Sequence, residues 1–418
     1  MLNLSKLLIP FLLLFACSEL KTPETEGPPP LVNTETRPIN KQWKGIWAFQ
    51  DSSVFFSNDF KGARLNGLVM DSANHFIALI TGENYPINPS PWYAFQVWSK
   101  ESKEIIVKMT YTESRSRYYP KMSYDGENFQ PVDSSKVIGF EGTGWGIDNV
   151  PETIEMTIDI SSDTLWIAAQ ELWTSSEVKS WMDELSVADN INQYTIGTSR
   201  EGRPIWMMEI GNRDAKKSVI IISRQHPPEV TGFLAMKSFI ETISGDSEQA
   251  LRFKKEFSIF NVPLMNPDGV DNGHWRHNSG GIDLNRDWQE FNQPETSAVK
   301  SFIEQKKKEG VEFVFAADFH STWEDIYYPL DSSLLKSDEL FIYDWVDQIA
   351  SNLSIKNPNV KPSLYLKPTM VSRNYFYHDH QIPGIVFELG DNTERAFLAR
   401  KGKVAAEELM QILMDRLN

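Results

Sequence analysis

The chain has 418 residues, which is long enough for two domains that each bury a core of their own. Apolar residues make up 41% of it and charged residues 23%, a balance that is typical of folded globular proteins and excludes wholesale disorder. The net charge of −16 argues against a nucleic-acid partner, because phosphate binding requires a basic face.

The amino terminus has the pattern of an export signal. Lys6 precedes an apolar run over 7–16 that is too short to span a bilayer. The run ends in Leu14-Phe15-Ala16-Cys17, which resembles a bacterial lipobox, where the cysteine becomes the lipid-carrying amino terminus. We predict a lipoprotein signal peptide over 1–16, lipidation of Cys17, and location in the cell envelope on a bacterial membrane. The alternative is a signal peptide followed by an incidental cysteine.

The next segments differ in composition. Residues 17–40 include a stretch rich in Pro, Glu and Thr, which predicts a flexible linker behind the lipidated cysteine. Residues 41–172 show short strand patterns between turn residues and no visible catalytic cluster, so we predict an antiparallel β-sandwich domain. The clearest strand patterns cover 76–80, 92–98, 105–111, 153–160 and 164–168.

From 173 to 418 the pattern changes to alternating strands and helices, which predicts a mixed α/β sheet covered by helices. Thr174 and Glu177 have the spacing of a capping box at the start of a helix. Strands are predicted over 205–210, 219–222, 257–263, 313–317 and 385–389, and helices near 229–243, 295–308, 338–351 and 394–417.

Potential metal ligands and acid–base groups lie at or just beyond the carboxyl ends of three of these strands. His226 and Glu229 come after 219–222, His320 comes after 313–317, and Glu388 lies at the carboxyl end of 385–389. In open α/β sheets, functional groups gather at the carboxyl ends of strands. His226 and Glu229 are spaced so that an imidazole nitrogen and a carboxylate oxygen can bind one ion.

A polar loop between these strands adds Arg276, Asp283, Asn285 and Arg286. An arginine presents a planar fork of donors that pairs with a carboxylate. An Asn-Arg pair is therefore suited to binding the terminal carboxylate of a substrate chain. A zinc hydrolase needs three protein ligands, an open position for water, a carboxylate base and a cation for the oxyanion. The chain offers candidates for all of the protein groups.

This order of motifs resembles the M14 family of metallocarboxypeptidases, and in particular its cytosolic carboxypeptidase branch with its bacterial relatives. The resemblance runs from about residue 190 to the end. It rests on Arg224-Gln-His-Pro227, Asn266-Pro-Asp-Gly-Val270 and Asp283-Leu-Asn-Arg286. The earlier region also resembles the β-sandwich that precedes the catalytic domain in that branch, at Phe56–Phe60, Gly62–Asn66 and Arg117–Pro120.

The resemblance implies a fold and a chemistry. The fold is a mixed-sheet zinc carboxypeptidase domain over 173–418, with one zinc ion held by His226, Glu229 and His320. Glu388 would be the general base, and Arg276 would polarise the scissile carbonyl and stabilise its oxyanion.

The resemblance also implies residues that bind substrate. Asn285 and Arg286 would hold the terminal carboxylate, and Asp283 would orient an imidazole that binds zinc. Tyr365 is the candidate for the tyrosine that caps the substrate. Arg373 stands at the family position on the floor of the specificity pocket, where a cation favours an acidic terminal side chain; a solvated loop arginine is the alternative.

Taken together, the sequence predicts a zinc-dependent exopeptidase that removes terminal residues from peptides. A murein stem-peptide amidase or carboxypeptidase acting through the same site is one alternative, and deacylation of small amino-acid derivatives is another. An envelope lipoprotein that binds peptide ends without cleaving them is the alternative from a different class. The sequence leaves the oligomeric state open.

Overall fold

The computed structural model describes residues 28–50, 53–140, 152–187 and 190–417. Cys17, the predicted signal peptide and the first part of the predicted linker lie outside these residues. Within the described ranges, no helix combines the length and the apolar character needed to cross a membrane. The described strands form three sheets, two of them in the N-terminal region up to residue 168.

The N-terminal region contains eleven described strands. In chain order they are β1 (Ile46–Phe49), β2 (Val54–Ser57), β3 (Gly67–Ser72), β4 (His75–Ile80), β5 (Ala94–Ser99), β6 (Lys103–Tyr111), β7 (Lys121–Ser123), β8 (Gln130–Pro131), β9 (Val137–Ile138), β10 (Ile154–Ile160) and β11 (Leu165–Ala168). One sheet has the order β1-β2-β5-β11-β7-β8, and the other has the order β3-β4-β6-β10-β9.

The prediction of purely antiparallel pairing is only partly right. All pairs in the six-stranded sheet are antiparallel. In the five-stranded sheet, however, β4 and β6 pair in parallel. The strand between them in the sequence, β5, belongs to the other sheet. The chain therefore crosses to the first sheet and returns before it pairs again, and such a crossover brings the second strand back in the same direction.

The two N-terminal sheets share one apolar core. Strands such as β10 alternate between buried and less buried residues, as expected for strands with one covered face. Phe56 of β2 contacts Phe76 of β4 across the sheets, with ring centroids 5.1 Å apart, and Phe95 of β5 lies 5.9 Å from Phe56. Burying each such ring contributes about 1.5–3 kcal/mol to stability.

The remainder of the chain is a helix-covered sheet. Its helices are α1 (Ser175–Leu185), α2 (Val230–Ser244), α3 (Glu248–Glu256), α4 (Pro267–Asp271), α5 (Pro294–Lys308), α6 (Phe341–Asn352), α7 (Ser372–His380) and α8 (Arg395–Asp415). Its strands are β12 (Ile191–Thr198), β13 (Pro204–Gly211), β14 (Lys217–Ser223), β15 (Phe257–Val262), β16 (Glu312–Thr322), β17 (Ile326–Pro329) and β18 (Gly384–Gly390).

This sheet has the order β12-β13-β15-β14-β16-β18-β17 and is mixed, as predicted. Four consecutive strands in its interior, β15, β14, β16 and β18, run parallel. Both faces are covered: Val219 and Ile221 of β14 pack into a cluster with α2 and α8, whereas Ile220 and Ile222 pack into a second cluster with α5 and α7. A strand buried on both faces is apolar throughout, which is the pattern that β14 shows in the sequence.

The predicted capping box at the start of α1 is confirmed. Glu177 Oε2 accepts the backbone N–H of Thr174, and the Thr174 side chain accepts the N–H of Ser176. These contacts satisfy donors that the first turn of a helix leaves open. Val178 and Trp181 of α1 are then buried in the core beside α2.

Several elements were not predicted. The strand β12 and the helices α3 and α7 went unrecognised, and β16 extends through Thr322 rather than ending at 317. Helix α7 has no apolar stripe at helical spacing because its buried residues are consecutive: polar Ser372, Arg373 and Asn374 are followed by the aromatic residues 375–377. The longer β16 places His320, a candidate metal ligand, within the strand.

Candidate active site

His226 and Glu229 are positioned where β14 gives way to α2. The chain leaves β14 through Arg224, whose φ of 55° turns the backbone sharply, and Glu229 occupies the N-cap position of α2. The Glu229 side chain caps no backbone N–H of the helix. Instead, its Oε1 lies 2.8 Å from His226 Nδ1. The turn thus directs an imidazole and a carboxylate at each other.

His320 of β16 completes this cluster. Its Nδ1 lies 2.7 Å from Glu229 Oε2 and 3.2 Å from His226 Nδ1. All three residues are buried. Among the described residues, they form the group of His, Cys, Asp and Glu side chains whose donor atoms lie close enough together to hold one metal ion.

Two further carboxylates fix the orientation of the imidazoles. His226 Nε2 lies 2.8 Å from Asp283 Oδ1, and His320 Nε2 lies 2.9 Å from Asp318 Oδ2. A carboxylate accepts the Nε2 proton of each ring, so both Nδ1 lone pairs point inward at each other and at Glu229. Three acceptors that converge in a buried space require a cation. Two imidazole nitrogens and a carboxylate are ligands that suit zinc.

The electrostatics of the cluster agree with this requirement. Burial lowers the pKa of His320, but Asp318 and Glu229 outweigh burial and raise it well above the usual value. Burial raises the pKa of Glu229, but His226 and His320 outweigh it and hold the pKa below its usual range. The cluster therefore attracts positive charge.

Glu388 stands beside the cluster on β18. It is the Cα partner of His320 in the parallel pairing of β16 with β18, and it is half-buried. Among the described residues, its Oε2 has no hydrogen-bond partner. Burial raises the pKa of Glu388 to about 7, with His320 opposing the shift and Glu229 adding to it. A carboxylate with a pKa near neutrality is suited to accept and return a proton.

Arg276 provides a cation at the same place. Its Nε donates to Asp283 Oδ2 at 2.9 Å, and its Nη1 lies 3.6 Å from Glu229 Oε1. Asp283 therefore contacts both His226 and Arg276, one through each oxygen. A guanidinium held against the metal-binding cluster can stabilise negative charge that develops on a substrate oxygen.

Asn285 and Arg286 follow Asp283 in a turn of 3₁₀-helix. Asn285 Nδ2 lies 3.4 Å from His320 Nε2, and its Oδ1 accepts the backbone N–H of Ser372 at 2.9 Å. The Arg286 side chain is a third exposed, and its Nη1 donates to the Asn285 carbonyl at 2.8 Å. The structure therefore brings both residues to the rim of the cluster.

Arg373 and Tyr365 are connected to the cluster through neighbouring residues. Arg373 follows Ser372 in α7, and its buried guanidinium donates to the Tyr328 carbonyl at 2.9 Å and to the Asn374 side chain at 3.2 Å. Burial lowers its pKa to about 10. Tyr365 is connected through its backbone, since its carbonyl accepts from Asn374 Nδ2 at 3.0 Å.

Asp318, for which no role was predicted from the sequence, is the partner of His320 in the structure. Its Oδ2 also accepts from Gln225 Nε2 at 2.5 Å and from the Ser372 hydroxyl. The signal was available: Asp318 and His320 are two apart on one strand, and such side chains lie on the same face. The part played by Ser372 had no such signal, because α7 was not predicted.

Comparison with known proteins agrees with this arrangement. The family model of zinc carboxypeptidases (Peptidase_M14) matches residues 178–407. The chain belongs to the zinc carboxypeptidase family. The members of this family are zinc enzymes, and the triad of His226, Glu229 and His320 is compatible with a zinc site.

Individual relatives are more distant. Cytosolic carboxypeptidase 2 of Danio rerio is 22% identical over 271 residues, which are 57% of this chain and 36% of the relative. An uncharacterized protein of Zymomonas mobilis is 31% identical over 120 residues, which are 28% of this chain and 31% of the relative. The chain thus spans about a third of the length of these curated relatives.

The fold is shared with solved bacterial structures. The crystal structure of a metallo-carboxypeptidase from Burkholderia cenocepacia superimposes with a TM-score of 0.70 at 17% identity, over 88% of this chain and 100% of that one. The zinc carboxypeptidase fold predicted from the sequence is therefore confirmed.

We predict that the apo protein binds one equivalent of zinc and that binding raises its unfolding temperature, because the ion neutralises the converging acceptors. At a free zinc concentration 100 times the dissociation constant, the gain in stability is about 2.7 kcal/mol. Replacing Glu229 by Gln removes the anionic ligand and should abolish most of the gain. Thermal unfolding of chelator-treated protein, with and without zinc, measures the effect together with elemental analysis.

His378→Ala is the matched control, since His378 is a partly exposed histidine that contacts Asp379 rather than the cluster. This variant should retain both the bound zinc and the stabilisation. An equal gain in the Glu229→Gln variant would contradict the assignment.

Proposed function

We propose that this protein is a zinc-dependent carboxypeptidase that removes the C-terminal residue of peptides. The observation that carries the proposal is the convergence of His226, Glu229 and His320 beside Glu388, whose Oε2 has no hydrogen-bond partner in the described part of the chain. Membership of the zinc carboxypeptidase family supports it. We further propose that residues 41–172 and 173–418 are its N-terminal and catalytic domains.

Each residue then has a task in amide hydrolysis. Zinc bound by the triad would lower the pKa of a water molecule and polarise the scissile carbonyl. Glu388 accepts the proton from the attacking water and passes it to the leaving amine. Arg276 stabilises the negative charge that develops on the carbonyl oxygen. Asn285 and Arg286, at the rim, bind the terminal carboxylate and so select the end of a chain.

Replacing Glu388 by Gln should lower kcat by about 10²- to 10⁴-fold, because the amide keeps the shape of the side chain but accepts no proton. Bound zinc should stay at one equivalent. Release of the terminal residue from peptides ending in each amino acid measures the effect, with a peptidoglycan stem peptide and N-acyl amino acids in the same panel. Glu312→Gln, at the exposed opposite end of β16, is the matched control and should leave kcat unchanged.

The panel also separates the competing functions. Exclusive cleavage of the stem peptide would replace the proposal by a murein peptidase, and activity on N-acyl amino acids alone would replace it by a deacylase. Full zinc binding without turnover of any substrate would favour a protein that only binds peptide ends.

We also propose that Arg373 gives the enzyme a preference for acidic C-terminal residues. Its guanidinium is buried, and within the described ranges its hydrogen bonds run to a backbone carbonyl and an amide side chain rather than to a carboxylate. A buried cation without a charged partner gains from an anionic ligand. Asn374, beside it, also contacts Tyr365, which remains our candidate for closing over the bound substrate.

Arg373→Met should lower kcat/KM for peptides ending in Glu or Asp by about 10-fold or more relative to peptides ending in Leu. The reason is that the aliphatic side chain keeps the volume and loses the charge. Arg252→Met, at an exposed position of α3, is the control. Equal losses for all termini would refute the preference.

Finally, we propose that Cys17 carries lipid and anchors the protein in the cell envelope. Support comes from the sequence Leu14-Phe15-Ala16-Cys17 after a short apolar run. Wild-type protein expressed in a bacterium should sediment with the membranes, and Cys17→Ser should move it to the detergent-free supernatant of lysed cells. Membrane association that survives the substitution would refute anchoring through this cysteine.

A further inference from the structure

A buried carboxylate of the N-terminal region reaches the loop that carries Arg276. Glu83 lies between β4 and β5 and is fully buried. Its Oε2 accepts the backbone N–H of Trp275 at 2.7 Å, and its Oε1 accepts those of Arg276 at 3.0 Å and His277 at 2.7 Å. One carboxylate therefore binds three consecutive N–H groups. Hydrogen bonds to an ionised acceptor are about twice as strong as neutral ones.

Other contacts attach the same loop to the N-terminal region. Asn84 Oδ1 lies 2.6 Å from His277 Nδ1, and Arg64 Nη1 donates to the Gly273 carbonyl at 3.1 Å. The indole of Trp275 is fully buried within the core of the N-terminal sheets, where its Nε1 donates to the Trp92 carbonyl at 3.2 Å. The loop is thus packed against the N-terminal region, although it belongs to the sequence of the catalytic region.

The charge of Glu83 is kept in spite of burial. Burial raises the pKa of this carboxyl, but His274, Arg64 and the N–H of His277 outweigh burial and hold the pKa below its usual value. Glu83 contacts Arg276 through the backbone and leaves the guanidinium to Asp283. The carboxylate therefore sets the position of the Arg276 backbone without competing for the side chain.

We propose that Glu83 is a positioning residue for Arg276, through which the N-terminal region helps to build the active site. This inference rests on the proposed carboxypeptidase function, in which Arg276 stabilises the oxyanion. The guanidinium reaches Asp283 and the neighbourhood of Glu229 only if the backbone of residues 275–277 is held in place. Misplacement of a catalytic group by about 1 Å can cost 10²-fold in rate.

Glu83→Gln tests the proposal. The amide keeps the size of the side chain but replaces one acceptor oxygen by a donor, which opposes an N–H of the loop. We expect kcat to fall by about 10- to 100-fold with little change in KM, because the oxyanion contact forms in the transition state. Bound zinc should stay at one equivalent.

Glu171→Gln is the matched control. Like Glu83, Glu171 lies on the N-terminal side and binds a residue of the catalytic region through its carboxylate. Both of its oxygens accept hydrogen bonds from Arg395, at 2.7 and 2.9 Å. Its substitution should lower the unfolding temperature and leave kcat unchanged. If kcat falls equally in Glu83→Gln and Glu171→Gln, the loss comes from general destabilisation of the protein, and the proposal is overturned.

A double-mutant cycle decides whether Glu83 acts through Arg276. In an Arg276→Ala background, Glu83→Gln should lower kcat by less than about twofold, since the group that it positions is already gone. If Glu83→Gln lowers kcat by the same factor in both backgrounds, the proposal is overturned. If Glu83→Gln does not fold, Asn84→Ala replaces it in the cycle, because Asn84 holds His277 in the same loop.

Hydrogen exchange separates this inference from the proposed function. The amides of Trp275, Arg276 and His277 should be protected in the wild type and in Glu171→Gln, and should exchange faster in Glu83→Gln. This result does not depend on turnover. Unchanged protection would overturn the inference, whereas faster exchange in a protein that cleaves no peptide would reject only the proposed function.

Discussion

The structure depends on the inward convergence of two imidazole Nδ1 atoms and one carboxylate in a buried space. His226, Glu229 and His320 lie within 3.2 Å of one another at their nearest atoms, with Asp283 and Asp318 behind the rings. Removing one partner from a buried charged pair typically costs about 3–5 kcal/mol. Such a group is retained only when the fold holds every member in place and a cation balances the acceptors, so the elements around it have little freedom to move.

The parallel arrangement of β14, β16 and β18 holds the members of this cluster in place. Strands β14, β16 and β18 are neighbours, and parallel strands end at the same edge of a sheet. The register fixes the details, since His320 lies opposite Glu388, and Ser223, which precedes the turn to His226, lies opposite Phe319. His226, His320 and Glu388 are therefore brought together by backbone hydrogen bonds, which leaves the loops free to supply Arg276, Asn285 and Arg286.

The sequence predicted the part of this arrangement that is local. Apolar runs marked β14 and β18, and the spacing of His226 and Glu229 marked a pair that can share an ion. Contacts between distant segments could not be read in this way. The parallel pair β4–β6 depends on a crossover through the other sheet, and α7 has no apolar stripe at helical spacing because its buried residues are consecutive. Glu83 is 192 residues from Trp275, and no spacing rule connects positions so far apart.

The same long-range contacts argue that the N-terminal region is a structural part of the site. Arg117 donates to Asp391 at 2.8 Å and to the Ser321 carbonyl at 3.3 Å, so it contacts the residue next to His320 on β16 and the residue directly after the end of β18. Without that region, Asp391 would lose its charged partner, and the backbone N–H groups bound by Glu83 would lose their acceptor. Buried groups left unpaired cost about 1–3 kcal/mol each, or more when charged. The geometry around His226, Glu229 and His320 and the folding of the N-terminal sheets are therefore coupled, since these few buried contacts connect the two.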